Sequence, residues 1–426
     1  MVVGTSIHLI DDIRKHSIRL SDYSDLDVLI KEIGEAKYVL LGEASHGTSE
    51  FYTLRIELSK RLIEQKGFSF IAVEGDWPSC YRINRFVKNY KSNDSSAKDA
   101  MQSFNRWPTW MWANEELIPL YNWLKEYNYS KSQQNKIGFY GLDVYSLWES
   151  MEEIIDHLKQ TGSKDLELAI KAFSCFEPFE REGQAYGVSA SFFSEDCENE
   201  VVELLNKLQE KRASYEGDSE EPLSTEINAL VAVNAEQYYR TMVRGGPESW
   251  NIRDHHMVDV LRRLMDFHGT HAKAIVWEHN THIGDARATD MASDGMVNVG
   301  QLIREQEGKK KVFAIGFGTH RGNVLAGKSW GAPMEVVHVP PAEPGSWEDA
   351  MHSAGPEDKI LIFKNSPPSF ADVTPHRAIG VVYQPQYERY GNYVPSAMAQ
   401  RYDGFIHVDK TNALRPIQME KVLVSD

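Results

Sequence analysis

The chain of 426 residues has only three cysteines, Cys80, Cys175 and Cys197, scattered and without a CxxC pair. That scarcity argues against a disulfide framework or a structural zinc site, and it suits thiols kept reduced in a cytosol. Basic charge is short as well: 46 Lys and Arg stand against 62 Asp and Glu, a formal net charge of −16. No compact Lys/Arg block interleaved with aromatics occurs, so no nucleic-acid partner is expected. Long apolar runs are missing too. Nothing approaches the ~20 apolar residues of a membrane span. The N-terminal stretch, interrupted by Asp11 and Asp12, lacks the apolar centre of a signal peptide. A cytoplasmic location without a membrane partner is the expectation. No serine nucleophile on a strand-to-helix elbow is expected either, and no internal repeat stands out.

What remains is an ordinary globular composition, 42% hydrophobic and 25% charged, in a chain too long for one small core. Short β-rich runs end in Gly, polar or charged residues: Tyr38–Glu43, Phe68–Glu74, Ile137–Asp143, Ala274–Glu278 and Val312–Phe317. Near-continuous apolar runs of this length suit strands buried on both faces of a mainly parallel sheet. Helical patterns separate them at about Ser49–Gln65, Tyr81–Asn89, Glu115–Tyr127, Leu147–Lys159 and Arg253–Phe267. The alternation predicts an α/β fold, a mainly parallel sheet flanked by helices. Residues 163–244 show amphipathic helical stretches and acidic linkers such as Gly217–Pro222 but no strand signal. They read as a helical subdomain inserted into a discontinuous α/β core of residues 1–162 and 245–426. Further β-rich runs, Ile360–Lys364, Ala378–Tyr383 and Phe405–Val408, complete the expected sheet.

In such sheets ligands bind beyond the carboxyl ends of the strands. Four successive runs end in titratable residues: Gly42-Glu-Ala-Ser-His-Gly47, Val73-Glu-Gly-Asp76, Gly141-Leu-Asp143 and Trp277-Glu-His-Asn-Thr-His282. A histidine titrating near neutrality can take a proton from water, and a carboxylate can fix its tautomer. A second histidine or an arginine can stabilise the oxyanion formed when water attacks a carbonyl. His46, Glu43, Glu74, Arg55, His279 and His282 are therefore the candidate catalytic residues. Asp76, Asp143, Asn280 and His320 are candidate substrate contacts. Singly, each has a plainer explanation: a backbone-bonded loop histidine for His46, helix N-terminal carboxylates for Glu43 and Glu74, a solvated charge for Arg55, a turn cap for His320. Spacing leaves the aim of Arg55 open.

The order Gly42–Gly47, Val73–Asp76, His279–His282, with Asn251-Ile-Arg-Asp254 and Gly316-Phe-Gly318, resembles the erythromycin esterase family from about Tyr38 to Tyr383. The resemblance implies metal-independent hydrolysis of a small-molecule ester or lactone, macrolide lactone opening being the eponymous activity, with antibiotic resistance as its context. On that pattern His46 is the base that activates water, and no cofactor is expected. Two alternatives stay open. The same His/Glu cluster could hold a metal ion from separate loops, or the cleft could bind a small molecule without turnover.

One motif carries less than its letters. Gly322-Asn-Val-Leu-Ala-Gly-Lys-Ser329 matches the phosphate-loop pattern, but the following segment reads as a strand, leaving no helix N-terminus to face a phosphate. The aromatic segment Trp107–Trp112 is core or a hydrophobic wall for a large substrate.

Overall fold

The computed structural model describes residues 6–91, 93–193, 196–212 and 220–417. Of the acidic stretch Gly217–Pro222, residues 217–219 lie outside these. Eleven strands occur among the described residues: β1 (Ile18–Arg19), β2 (Tyr38–Leu41), β3 (Phe70–Asp76), β4 (Gly138–Asp143), β5 (Ala274–Trp277), β6 (Val312–Gly327), β7 (Met334–Val339), β8 (Lys359–Ile362), β9 (Val373–Arg377), β10 (Tyr393–Ala397) and β11 (Gly404–Thr411). Nine of them form one sheet in the order β1-β8-β11-β6-β2-β5-β3-β4, with β7 beside β6. The six strands from β11 to β4 run parallel, while β8 and β7 pair antiparallel with their neighbours. Many helices flank this mixed, mostly parallel sheet, as expected.

Strand periodicity explains how both faces are buried. Leu41, Val73 and Trp277 pack on one face with the helix Ser49–Lys66, where Trp277 donates to the Ser59 hydroxyl at 3.0 Å. Leu40, Ala72 and Val276 point to the other face, against the helix Glu248–His268. Alternation over both faces requires apolar residues at nearly every position, which is why these strands read as unbroken runs. Each buried Leu, Val or Ile side chain contributes about 1.5–3 kcal/mol. The register sets Leu41, Trp277, Val73 and Gly141 at one level, so the residues just beyond them share one edge.

Between residues 163 and 244 the described segments are helical, Leu166–Ser174, Gly183–Phe193, Glu198–Arg212 and Glu221–Met242, apart from one 3-10 turn. Most of their buried side chains share a core with Leu147–Gln160, while Leu223, Ile227 and Val231 reach the sheet.

The structure corrects three expectations. Cys175 and Cys197 form a disulfide, their Cα atoms 6.0 Å apart. One cysteine ends a helix and the other precedes the next but one, and helix packing joins them without any spacing signal. Only Cys80 is free, and it is buried. The run Ala378–Tyr383 is not a strand. It crosses the ends of β2 and β6, with Ile379 N–H donating to Ala44 O and Gly327 N–H to Val381 O. Finally, β6 is longer than its apolar run and continues to Gly327.

The phosphate-loop letters therefore fall within β6 and the turn into β7, with no helix behind them. Gly322 sits at φ +145°, and a Cβ there would lie 2.2 Å from Thr411 O. Glycine is required for close packing of strands, not for a phosphate. The letters Gly-x-Ser-x-Gly also occur, once, at Gly327-Lys-Ser-Trp-Gly331 in the same turn. Ser329 is exposed there and a strand follows, so the strand–turn–helix context of a nucleophile elbow is absent. Among the described residues no helix is long and apolar enough to cross a membrane.

Candidate active site

Beyond the shared edge of β2, β5, β3 and β4 the chain gathers buried histidines and carboxylates around a cleft of about 390 Å³. His46 hangs in the loop after β2. Its Nδ1 lies 2.9 Å from Glu43 Oε1, and Arg55 donates from Nη2 to Glu43 Oε2 at 2.6 Å. Arg55 is fully buried, its guanidinium held over the rings of Tyr52 and Trp277 at 4.5 and 4.8 Å. The question left by its spacing is thus resolved: it reaches the site from the first turns of its helix and fixes Glu43. With Nδ1–H donating to Glu43, the His46 Nε2 lone pair faces the cleft, 4.0 Å from Glu74 Oε1. Burial works against a charged His46 ring, but the Glu74 and Glu43 carboxylates outweigh it and raise its pKa above the ordinary value.

Glu74 is held by one protein donor on each oxygen. Its Oε2 accepts the His279 backbone N–H at 2.8 Å, and its Oε1 accepts Arg253 Nη2 at 2.6 Å. Burial alone would raise its pKa, yet His282, Arg253 and His46 prevail and keep it ionised well below the usual carboxylate range. Arg253 also forks onto Asp143, Nε to Oδ1 and Nη2 to Oδ2, both at 2.8 Å. Its Nη1 lies 2.8 Å from His282 Nε2, while His282 Nδ1 meets the Asp254 carboxylate at 2.9 and 3.0 Å. An arginine can only donate, so His282 carries its proton on Nδ1, and both ring nitrogens are engaged.

His279 differs. Its Nδ1 accepts from Thr281, whose hydroxyl is 2.8 Å away, so the ring proton sits on Nε2. That nitrogen is buried, lacks a protein partner and belongs to a residue lining the cleft. Burial first, then the neighbouring His46, drives its pKa well below the ordinary value and keeps the ring neutral. Its ring centroid is 4.9 Å from that of His46.

The structure brings all six expected catalytic residues into one connected group. Asp76 and Asp143 line the same cleft, Asp76 pairing with Arg106. Asn280 and His320 do not line it. Asn280 turns back to staple β5 to β6, donating to Phe317 O at 2.7 Å and accepting Phe317 N–H at 3.2 Å. His320 lies within the extended β6, stacked on His352 with centroids 3.8 Å apart. Its placement beside Gly322 resembled a strand end only because the apolar run stops early.

Sequence reasoning missed Arg253 as a site residue. It sits on a helix, 110 positions from Asp143; the available signal was its place in Asn251-Ile-Arg-Asp254, a segment of the family pattern to which no role was attached. Glu278 was also passed over. Both of its oxygens are buried and unpartnered, and burial together with Glu74 and Asp254 pushes its pKa well above the usual carboxylate range.

The cleft's outer wall is aromatic, with Trp112, Tyr145, Trp250 and Trp330. The Trp250 ring stacks on His282 at 4.5 Å, and the Tyr145 ring lies beneath the guanidiniums of Arg253 and Arg106. From the segment Trp107–Trp112, Pro108, Met111 and Trp112 reach this wall.

Known proteins resemble the chain over most of its length. The family model for erythromycin esterase matches residues 63–411. An erythromycin esterase type II of Escherichia coli is 23% identical over 92% of this chain and 93% of its own length. A putative hydrolase of Bacillus subtilis (strain 168), YbfO, is 22% identical over 90% of this chain and 86% of its own. Among solved structures, a succinoglycan biosynthesis protein superposes with TM-score 0.79 at 22% identity, covering 97% and 99% of the two chains. A mutant erythromycin esterase in its open conformation superposes with TM-score 0.64 at 16% identity, covering 96% and 97%.

Proposed function

The chain belongs to the erythromycin esterase family, and from that premise we propose that it hydrolyses a carboxylic ester or lactone with water activated by His46 and no covalent enzyme intermediate. The observation that carries the reading is the relay Arg55–Glu43–His46 beside the unpartnered Nε2–H of a neutral His279, both rings lining the cleft with centroids 4.9 Å apart. Glu43 fixes the His46 tautomer and raises its basicity, and Arg55 fixes Glu43. A water held between His46 Nε2 and Glu74 gives its proton to Nε2 as its oxygen bonds to the substrate carbonyl carbon. The carbonyl electrons move onto oxygen, and His279 Nε2–H stabilises that oxyanion as a neutral donor. When the intermediate collapses, the C–O bond breaks and protonated His46 returns its proton to the departing alkoxide, leaving a carboxylic acid and an alcohol. Removal of a positioned base typically costs about 10²–10⁴ in rate, and of an oxyanion donor about 10²–10³.

Both ring nitrogens of His282 are engaged, by Arg253 and by Asp254, which supports the metal-free reading over ligation of an ion by the same cluster. The test is turnover of a macrolide lactone and simple activated esters by wild type and His46→Ala, with and without chelator. Loss of turnover in the folded variant, with no chelator effect, is expected. Unchanged turnover in His46→Ala removes His46 as base, chelator sensitivity favours the metal-dependent alternative, and a ligand bound but never altered favours the binding protein.

A further inference from the structure

Trp330 is 58% exposed, yet it is part of the cleft wall. It sits at the tip of the β6–β7 turn, whose residues 328–332 are solvent-facing or half-buried. The turn is nevertheless anchored. Trp107 Nε1 donates to Ala332 O at 2.9 Å, Gln384 Nε2 donates to Lys328 O at 2.9 Å, and the Trp107 and Trp330 rings meet at 4.7 Å between centroids, inclined by 60°. Trp107 is itself held edge-on by Trp110 at 5.5 Å. An indole fixed in this way offers its free face with little conformational entropy left to lose.

The flanking elements also expose apolar side chains. Val336 on β7 is 66% exposed, and Tyr387 and Tyr390 are 61% and 76% exposed on the neighbouring segment that brings Gly391 and Asn392 to the cleft. Exposed apolar residues taken singly need no explanation; a tryptophan that is exposed and also lines a cleft does. The cleft, at about 390 Å³, lies at the small end of ligand pockets, whose range is about 300–1,000 Å³. An ester whose carbonyl reaches His46 and whose body is bulky must extend onto this rim.

We propose that Trp330 is a specificity-determining residue, the platform on which a ring-bearing portion of the ester stacks while its carbonyl lies against His46 and His279. The inference rests on the hydrolase reading of the cleft and adds the class of substrate: an ester carrying an aromatic or alicyclic ring, in preference to a short open-chain one. Its free face makes Trp330→Ala a substitution the fold tolerates, and thermal unfolding checks this.

Vinyl acetate and vinyl benzoate share a leaving group, and only the second carries a ring. Trp330→Ala is expected to raise KM for vinyl benzoate about tenfold, with kcat little changed and KM for vinyl acetate within about twofold. Trp330→Phe is expected to restore most of the loss. Equal effects on both esters, or none on either, overturn the proposal. A second measurement separates it from the esterase reading: calorimetric binding of 2-naphthamide, an unreactive ring-bearing carbonyl compound. A Kd about tenfold weaker in Trp330→Ala supports the platform even if neither ester is turned over, which would sink the esterase reading alone. An unchanged Kd, or no binding by wild type, overturns the platform.

Discussion

Among the described residues, one group of histidines and carboxylates opens onto the cleft and another, gathered around Asp409, does not. At the shared strand edge, His46 has two carboxylates within reach, and these outweigh burial and raise its basicity. On β6, β11 and the helix Trp347–Ser353, His320, His407 and His352 gather near Asp409. There burial prevails: the pKa of His320 falls to about 4 and that of His407 is lowered as well. None of these three lines the cleft. Residue type is the same in both groups. The difference lies in how many acceptors surround each ring and whether a nitrogen faces a space that a substrate can enter.

Exchanging equivalent losses between the groups should separate them most sharply. His46→Ala is expected to lower kcat/KM by about 10²–10⁴, while His320→Ala leaves it within about twofold; initial rates on one activated ester read both. Arg253 comes next. Arg253→Ala leaves Asp143 and Glu74 buried without their shared cation, and removal of one partner from a buried ion pair costs about 3–5 kcal/mol. Chemical denaturation should show this loss together with loss of turnover. Glu43→Gln keeps the shape but weakens the hold on His46, so a fall of about 10–10² in kcat with an unchanged fold is expected. In a His46→Ala background the same substitution should cost little further, because the two act as a unit.

The smallest effect concerns stability alone. His320 binds its proton more weakly folded, at about 4, than unfolded, at about 6.5. Between those values the unfolded chain holds more protons, so stability rises with pH. The contribution is complete above about pH 6.5 and is lost as pH falls through about 4. Melting temperatures of His320→Gln should accordingly depend less steeply on pH across that window than those of wild type.

Much of the site was legible because strands buried on both faces must be apolar to their ends, which makes Glu43, Glu74 and Asp143 conspicuous where the runs stop. The same rule misplaced His320: β6 continues in register with β11 past Phe317, so a polar residue there marks a strand interior. Arg253 escaped because nothing local ties a helical arginine to acids on β3 and β4. The aim of Arg55, the Cys175–Cys197 pairing and the path of Ala378–Tyr383 likewise depend on tertiary packing. Helix or strand propensity carries no trace of any of them.

The claim that Glu43 and Glu74 make His46 the working base is tested most directly by the pH dependence of kcat/KM in wild type and Glu43→Gln. The base acts deprotonated, so activity should rise with pH through the His46 pKa. A wild-type midpoint above the ordinary histidine value of about 6.5, moving down in Glu43→Gln, is expected. A midpoint that stays where it was after Glu43 loses its charge would contradict the assignment.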